Sequence, residues 1–353
     1  HNEKTPSFCV SVQSANFKCF GCGEMGDVID FLKKYKAMTF QEAVEYLSIK
    51  FNFEIKNQAS TQDLKNQEIF EILKFAENYF SLNLFDKKGK GALEYLYSRK
   101  ISDKTIKKFK IGYALNDWDY LYNSSKENKF SSISISKSQL FLEKENLTYD
   151  RFRNRIIFPI KNISGKSVGF GARTLQDDGF EVKYINSPEN EVFEKRKCLY
   201  GIFEAKSEIL KQNKCFFTEG YFDVLAMSES GFENSVACMG TAISQDHISL
   251  ILKYTKNVTI IFDGDLAGIN SAMKNIEIFL ENGIYPKVVV LEENQDPHSF
   301  FLKNGKEKLK EFIEKNEVDF ITFKSNIFLA SAKSDPLEIS LAITKLNNSL
   351  CKI

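Results

Sequence analysis

The pattern of apolar and polar positions first outlines a small amino-terminal module. Alternating runs within 7–20 predict short strands, and apolar residues at helical spacing predict helices over 27–35 and 39–51. A polar stretch over 56–62 has the composition of a linker. We therefore expect residues 1–55 to form a separate module.

The pattern changes twice more after the linker. From 63 to 110 it is helical and is interrupted near Gly89 and Gly91, and strand-length apolar runs with glycine turns then continue to 200. These strands are predicted at 155–160, 167–170 and 182–185. We assign 63–205 to one mixed α+β subdomain.

Over 206–300, strand and helix alternate. The predicted strands are 215–218, 235–239, 258–262 and 287–291, with helices near 223–230, 245–254 and 266–282. That order is typical of a parallel sheet with right-handed crossovers. The remainder, 301–353, is predicted to be helical. The predicted fold class is therefore a multi-domain α/β protein.

Composition narrows the class of protein. A chain of 353 residues should hold more than one domain, and no apolar run is long enough to cross a bilayer. The net charge of +1 means that any nucleic-acid surface must come from local segregation of charge. Seven cysteines, of which only Cys19 and Cys22 are closely paired, predict a reduced cytoplasmic protein with one metal site. No targeting peptide is visible, and because the chain starts at His1 we expect a fragment.

Three acidic clusters follow predicted strands of the α/β region. They are Glu219 with Asp223, Asp263 with Asp265, and Asp296. Because the carboxyl ends of parallel strands meet at one edge of a sheet, these acids should converge. Crowded carboxylates repel each other unless a cation lies among them, and Mg²⁺ binds carboxylates together with substrate phosphates. A lone aspartate at such a junction most often caps a helix, but three clusters favour a metal site for phosphate chemistry.

Two further groups of residues suggest binding sites. Cys19 and Cys22 form a Cys-x-x-Cys that suits one tetrahedral Zn²⁺, with His1 as a third ligand and a fourth not in view. We interpret Cys9, in an alternating run, as a packing residue. Separately, Arg151, Arg153 and Arg155 are spaced by two, so a strand would place them on one face. Charge alone favours a solvated surface there over a phosphate-binding one.

The acidic motifs resemble those of the Toprim domain. They are Glu219-Gly220-Tyr221-Phe222-Asp223, Asp263-Gly264-Asp265-Leu266-Ala267-Gly268 and Asp296-Pro297. The resemblance implies that Glu219, Asp263 and Asp265 are the catalytic, metal-associated acids. It implies supporting roles for Asp296 and Asp223. The third motif departs from the family, because His298 stands where a second acid is common. Imidazole is a poor ligand for a hard cation, so we interpret His298 as a hydrogen-bonded surface residue.

Nearly the whole chain, from His1 to at least Gly305, resembles bacterial DnaG-type primases. The segments that carry the resemblance are 1–23, with the zinc ligands His1, Cys19 and Cys22, and Arg151–Ile160, Gly169–Arg173 and Lys183–Glu189. The resemblance implies that Arg173, Lys183 and Lys195 belong to a basic ridge that holds the template or the nascent strand. Arg99 matches another basic position of that family.

The resemblance implies a DNA-dependent RNA polymerase that starts short RNA primers on single-stranded DNA. Its substrates would be ribonucleoside triphosphates, its cofactors Mg²⁺ or Mn²⁺ and Zn²⁺, and its partner the replicative helicase, bound through a carboxyl-terminal domain outside this chain. No membrane partner is expected. Two alternatives stay open: a Toprim nuclease, and a non-catalytic zinc-bearing binder of single-stranded DNA. Metal-dependent incorporation of ribonucleotides would distinguish the polymerase from both.

Overall fold

The computed structural model describes residues 6–35, 38, 40–51, 61–145, 147–175, 182–240, 242–292, 295–332 and 336–351. Its contacts divide the chain into two compact units, His1–Ser60 and Thr61–Ile353. None of the described helices combines the length and hydropathy that a bilayer-spanning segment needs.

The first unit is a three-stranded antiparallel sheet followed by two helices. Its elements are β1 (Phe8–Ser11), β2 (Asn16–Cys19), β3 (Met25–Asp27), α1 (Val28–Tyr35) and α2 (Phe40–Phe51). The rings of Phe8, Phe17 and Phe31 pack together at centroid distances of 5.4 to 5.8 Å. Leu32, Ala43 and Leu47 pack α1 against α2. The predicted strands and helices of this module are confirmed.

The second unit begins with helices around an antiparallel sheet. The elements are α3 (Thr61–Phe85), α4 (Lys90–Ser98), α5 (Asp103–Lys108), β4 (Gly112–Ala114), α6 (Tyr120–Glu127), α7 (Ser132–Lys137), β5 (Phe141–Lys144), β6 (Leu147–Asp150), β7 (Arg155–Lys161), β8 (Ser167–Thr174) and β9 (Tyr184–Asn186). Four strands pair in the order β4-β7-β8-β9, and β5 and β6 form a hairpin. Phe158 faces a core that includes α4 and α5, whereas Ile157 faces α3. Successive residues of β7 therefore bury opposite faces of the sheet.

The same unit continues into a five-stranded sheet. Its elements are α8 (Ile202–Gln212), β10 (Cys215–Thr218), α9 (Tyr221–Glu229), β11 (Ser235–Ala237), α10 (Gln245–Leu252), β12 (Val258–Phe262), α11 (Leu266–Glu281), β13 (Lys287–Val290), α12 (Pro297–Asn304), α13 (Lys306–Asn316), β14 (Val318–Asp319), α14 (Phe320–Ala332) and α15 (Pro336–Leu350). The strand order is β11-β10-β12-β13-β14. All pairs are parallel except β13 with β14. The predicted α/β fold is confirmed.

Helices cover both faces of this sheet. Ile260 and Phe262 of β12 face a core built with α8, α10, α11 and α14. Ile261 faces the opposite side, where α9, α12 and α13 pack. Burial on both faces explains why these strands are continuous apolar runs in the sequence. Between these helical layers, β10, β12 and β13 run parallel and end at one edge of the sheet.

Two predictions fail. Residues after 300 are not wholly helical, because β14 adds a two-residue antiparallel strand to the sheet. The arginines at 151, 153 and 155 do not share one strand face, because β7 begins only at Arg155 and Asn154 has a positive φ of 51°. Arg155 donates to the carbonyl of Val182 at 2.9 Å, and Arg153 stacks on Trp118 at 4.3 Å. These side chains therefore serve local packing rather than a common binding face.

Candidate metal and nucleic-acid site

The structure brings the predicted acids to one edge of the parallel sheet. Glu219 follows β10, and Asp263 follows β12 directly. β10 and β12 pair in parallel, with Phe217 opposite Ile260, so both strands end at the same edge. The loop before Asp296 returns to this edge as well, because the N–H of Gly264 donates to the carbonyl of Gln295 at 3.2 Å.

Helix capping holds several of these acids in place. Asp265 Oδ1 accepts the N–H of Gly268 at 2.6 Å at the start of α11. Asp296 Oδ1 accepts the N–H of Ser299 at 2.5 Å at the start of α12. Capping and metal binding are therefore compatible, since each cap uses one carboxylate oxygen and fixes the direction of the other.

Asp223 is placed differently from the other acids. It is buried in the first turn of α9, where one oxygen accepts the N–H of Gly220 at 2.9 Å and the other accepts the N–H of His298 at 3.3 Å. Both oxygens therefore bind backbone donors, and the side chain joins α9 to α12. Its predicted contact with a metal stays a prediction.

The electrostatics show that the acids interact. Burial first, then the charges of Glu219, Asp296 and Asp265, raise the pKa of Asp263 to about 7. Burial, followed by the charges of Asp265 and Asp296, also raises the pKa of Glu219. Burial and the charges of Asp296 and Asp263 raise the pKa of Asp223 well above its usual range. The edge thus holds more negative charge than the protein alone neutralises.

These residues fit a divalent cation. Asp263 Oδ1 is buried and has no hydrogen-bond partner among the described residues. A hard cation satisfies such an oxygen and offsets the repulsion between neighbouring carboxylates. Within the described part of the chain, no three His, Cys, Asp or Glu side chains form a complete ion site. Water and substrate phosphate would therefore supply the remaining ligands, as Mg²⁺ commonly requires.

Thermal unfolding at different pH values tests this electrostatic arrangement. The pKa of Asp263 in the folded chain, about 7, lies above the ordinary 3.8, so the folded state binds more protons between these values. Without divalent ions, we expect stability to fall as the pH rises through this window, and Mg²⁺ or Mn²⁺ to restore it at pH 8. In Asp263→Asn both effects should shrink, as differential scanning fluorimetry in EDTA and in metal would measure. Identical pH slopes for the two proteins would contradict the assignment.

Two of the predicted basic residues lie against the same aromatic rings. The guanidinium of Arg173 lies 5.4 Å from the Tyr95 ring and 5.3 Å from the Phe222 ring, and it donates to the Tyr184 hydroxyl at 2.9 Å. The Arg99 guanidinium lies 5.1 Å from Tyr95 and 6.0 Å from Phe222. Arg173 is buried, and its Nε has no hydrogen-bond partner among the described residues. No pattern in the sequence singles out Tyr95 or Phe222, because their positions beside the arginines depend on tertiary contacts.

The other two basic residues are more accessible. Lys183 is exposed just before β9, and Lys195 is half-buried in a turn of 3₁₀-helix, Lys195–Lys197. Neither forms an ion pair with a described carboxylate, whereas the neighbouring Lys197 pairs with Glu194 at 2.7 Å. Their predicted contact with nucleic acid stays a prediction.

The interpretation of His298 as a surface residue is wrong. Its side chain is 4% exposed and packs on the Phe222 ring at 4.8 Å. Nε2 lies 3.4 Å from the carbonyl oxygen of Arg99. Burial lowers the pKa of His298 to about 4, so the ring is neutral. Position 298 thus links α12 to the aromatic rings around the arginines.

In the amino-terminal unit, Cys19 is the last residue of β2 and Cys22 lies in the turn that follows. The N–H of Gly23 donates to the carbonyl of Cys19 at 2.8 Å, and the hydroxyl of Ser7 lies 3.4 Å from the Cys19 sulfur. That contact is the main cause that lowers the pKa of Cys19 to about 7. A turn of this kind suits two zinc ligands. Cys9 is exposed, so its interpretation as a packing residue is wrong, and His1 lies outside the described residues.

Three known families match successive parts of the chain between residues 1 and 301. The family described as CHC2 zinc finger matches residues 1–63. The DNA primase catalytic core, N-terminal domain, matches residues 79–206, and the Toprim-like family matches residues 216–301.

Individual relatives agree with these matches. The DNA primase of Clostridium acetobutylicum is 38% identical over 331 residues, which cover 92% of this chain and 54% of that protein. This chain therefore spans about half the length of the curated relatives it matches. A crystal structure of the zinc-binding and RNA polymerase domains of the Aquifex aeolicus primase is 32% identical, with a TM-score of 0.71, over 99% of this chain and 84% of that one.

A third relative is described as a DnaG primase catalytic domain bound to single-stranded DNA. It is 29% identical to this chain, with a TM-score of 0.73, over 82% of this chain and 94% of that one. With an acid-lined edge on a Toprim-like sheet, a DnaG amino-terminal core and a CHC2 zinc module in one sequence, the chain belongs to the family of bacterial DnaG-type DNA primases.

Proposed function

We propose that this chain is a DNA-dependent RNA polymerase that starts short RNA primers on single-stranded DNA. The observation that carries the proposal is the convergence of Glu219, Asp263, Asp265 and Asp296 at one sheet edge in a chain of this family. The relative bound to single-stranded DNA supports the choice of template.

In the proposed reaction, a ribose hydroxyl attacks the α-phosphate of an incoming ribonucleoside triphosphate. A new oxygen–phosphorus bond forms, the bond to the β-phosphate oxygen breaks, pyrophosphate leaves, and the hydroxyl proton goes to solvent. Bound Mg²⁺ or Mn²⁺ would lower the pKa of the attacking hydroxyl and would neutralise charge on the leaving pyrophosphate. Glu219, Asp263 and Asp265 would hold the ion, and Asp296 would support it. Capping by Asp265 and Asp296 keeps these carboxylates oriented before substrate arrives.

The proposed basic ridge tracks the template backbone. Arg173, Lys183, Lys195 and Arg99 carry fixed positive charge and contact phosphates without reading bases. Cys19 and Cys22, with His1, would hold Zn²⁺ in the amino-terminal unit. The helicase partner and the cytosolic location belong to the same proposal.

A labelled-nucleotide assay tests the function. The chain is incubated with single-stranded DNA, four ribonucleoside triphosphates and Mg²⁺ or Mn²⁺, and products are resolved on a denaturing gel. We expect short labelled RNA that disappears in EDTA and without template. Cleavage of the DNA without incorporation would identify a Toprim nuclease. DNA binding without any metal-dependent product would identify a non-catalytic binder, and either result would overturn the proposal.

A further inference from the structure

Residues at the start of α10 form hydrogen bonds with the turn 195–198, which lies far from α10 in the sequence. Ser244 caps α10, since its hydroxyl accepts the N–H of His247 at 3.1 Å. The same hydroxyl donates to the carbonyl of Arg196 at 2.6 Å. His247 Nε2 lies 2.9 Å from the carbonyl oxygen of Lys195 and 3.1 Å from that of Cys198. The side chains of Ser244 and His247 thus bind three carbonyls of the turn 195–198.

These contacts define the state of the His247 ring. Nδ1 lies 3.2 Å from the N–H of Ser244, which can only donate, so Nδ1 is an acceptor. The ring proton therefore lies on Nε2, which donates to the carbonyls of the turn. The side chain is fully buried, and burial lowers the pKa of His247, so the ring stays neutral. Histidine here takes the position that Glu or Gln holds in an ordinary capping box, and it adds a donor that Glu lacks.

The turn is anchored on its other side as well. The N–H of Lys195 donates to Glu189 at 2.9 Å, while its carbonyl accepts from His247. The side chains of Arg196 and Lys197 pair with Glu194. Among the described residues, Lys195 is the one cation of this turn that has no carboxylate within ion-pair distance. The peptide is fixed on both sides of this residue, and its ammonium is available for an external anion.

The position of α10 relates the turn 195–198 to the acidic edge of the sheet. α10 follows β11, which pairs in parallel with β10, so the loop before α10 leaves the sheet at the edge where Glu219 lies. That loop is also tied to the antiparallel sheet, because the Asn186 amide donates to the carbonyl of Met239 at 3.0 Å. The turn is therefore attached to the edge of the sheet that carries the acids.

We propose that His247 is a positioning residue that, together with Ser244, fixes the turn 195–198 so that Lys195 contacts a backbone phosphate of single-stranded DNA. The inference rests on the proposed function in one respect only: it takes the anion to be a phosphate of the DNA template. The alternative is a purely structural histidine, whose loss would lower stability and leave the phosphate contact intact.

Binding of fluorescent single-stranded DNA over a range of salt concentrations tests the inference, and needs no catalysis. One phosphate contact contributes about 0.7 to the slope of log K against log salt on single strands. We expect Lys195→Ala to lower the slope by about this amount. We expect His247→Leu to lower the slope equally and to weaken the affinity for DNA roughly three- to tenfold. His247→Gln, which keeps an acceptor for Ser244 and a donor for the turn, should retain most of the slope and most of the affinity. Lys197→Ala, whose ammonium is paired with Glu194, is the matched control and should keep the slope.

A double-mutant comparison separates positioning from general stability. In the Lys195→Ala background, His247→Leu should weaken DNA binding no further, although it should still lower the melting temperature. Additive losses of affinity, or an unchanged salt slope in His247→Leu, would overturn the inference. An unchanged slope in Lys195→Ala would overturn it too. None of these three results measures primer synthesis, which the nucleotide assay tests separately.

Discussion

Asp263→Asn should abolish primer synthesis while single-stranded DNA still binds. The substitution keeps the size of the side chain and removes the charge of a carboxylate whose buried Oδ1 has no hydrogen-bond partner in the described part of the protein. If that oxygen helps to hold the ion, the variant loses several kcal/mol of charge stabilisation in the transition state, a loss of roughly 10³-fold or more in rate. Template affinity depends on the basic residues and should change by less than about twofold.

The matched control for this experiment is Asp86→Asn. Asp86 is also a capping aspartate, which accepts the N–H of Lys88 at 3.0 Å, but it is exposed and outside the acidic cluster. We expect it to keep full incorporation of ribonucleotides. Near-normal synthesis by Asp263→Asn, measured beside this control at saturating metal, would remove Asp263 from the catalytic site.

Gly264→Ala should disrupt the same edge through the backbone. A Cβ at Gly264 would lie 2.1 Å from the carbonyl oxygen of Glu292 and 2.4 Å from that of Leu291, and backbone carbonyls cannot rotate away as side chains do. The end of β12 must therefore move away from the loop after β13. This movement displaces Asp263 and Asp265 relative to Asp296. Overpacking of this kind lowers the free energy of unfolding by roughly 1–3 kcal/mol. A displacement of about 1 Å at the acids is expected to reduce synthesis by about 10²-fold.

Gly91→Ala provides the control for this second prediction. Gly91 lies in α4, and nothing within 4 Å would meet an added Cβ. Because alanine is favoured over glycine in helices by about 1 kcal/mol, this variant should be as stable as the parent or more so. Urea unfolding and the labelled-nucleotide assay measure both variants. Gly264→Ala with normal stability and normal synthesis would show that the two loops are not tightly apposed.

Local sequence pattern predicts the structure correctly where it agrees with the tertiary environment. The pattern places β10 and β12 at their observed bounds because both strands are buried on two faces and so appear as short, uninterrupted apolar runs. The acids followed from position alone, since a residue just after a parallel strand must lie at the carboxyl edge. β14 was missed because two residues carry no periodicity, and its pairing depends on a neighbour, β13, distant along the chain.

The amino-acid sequence by itself determined the alternating fold, the acidic edge and the family, because strand periodicity and the position of acids after strands are properties of the local chain. Only the tertiary structure decided which polar groups are buried and with which partners. The positive φ of Asn154 divides three arginines that spacing alone would place together. Packing on Phe222 buries His298, and His247 reaches carbonyls some fifty residues away in the chain. Such contacts depend on how helices and sheets pack in space, which the spacing of residues in one sequence does not encode.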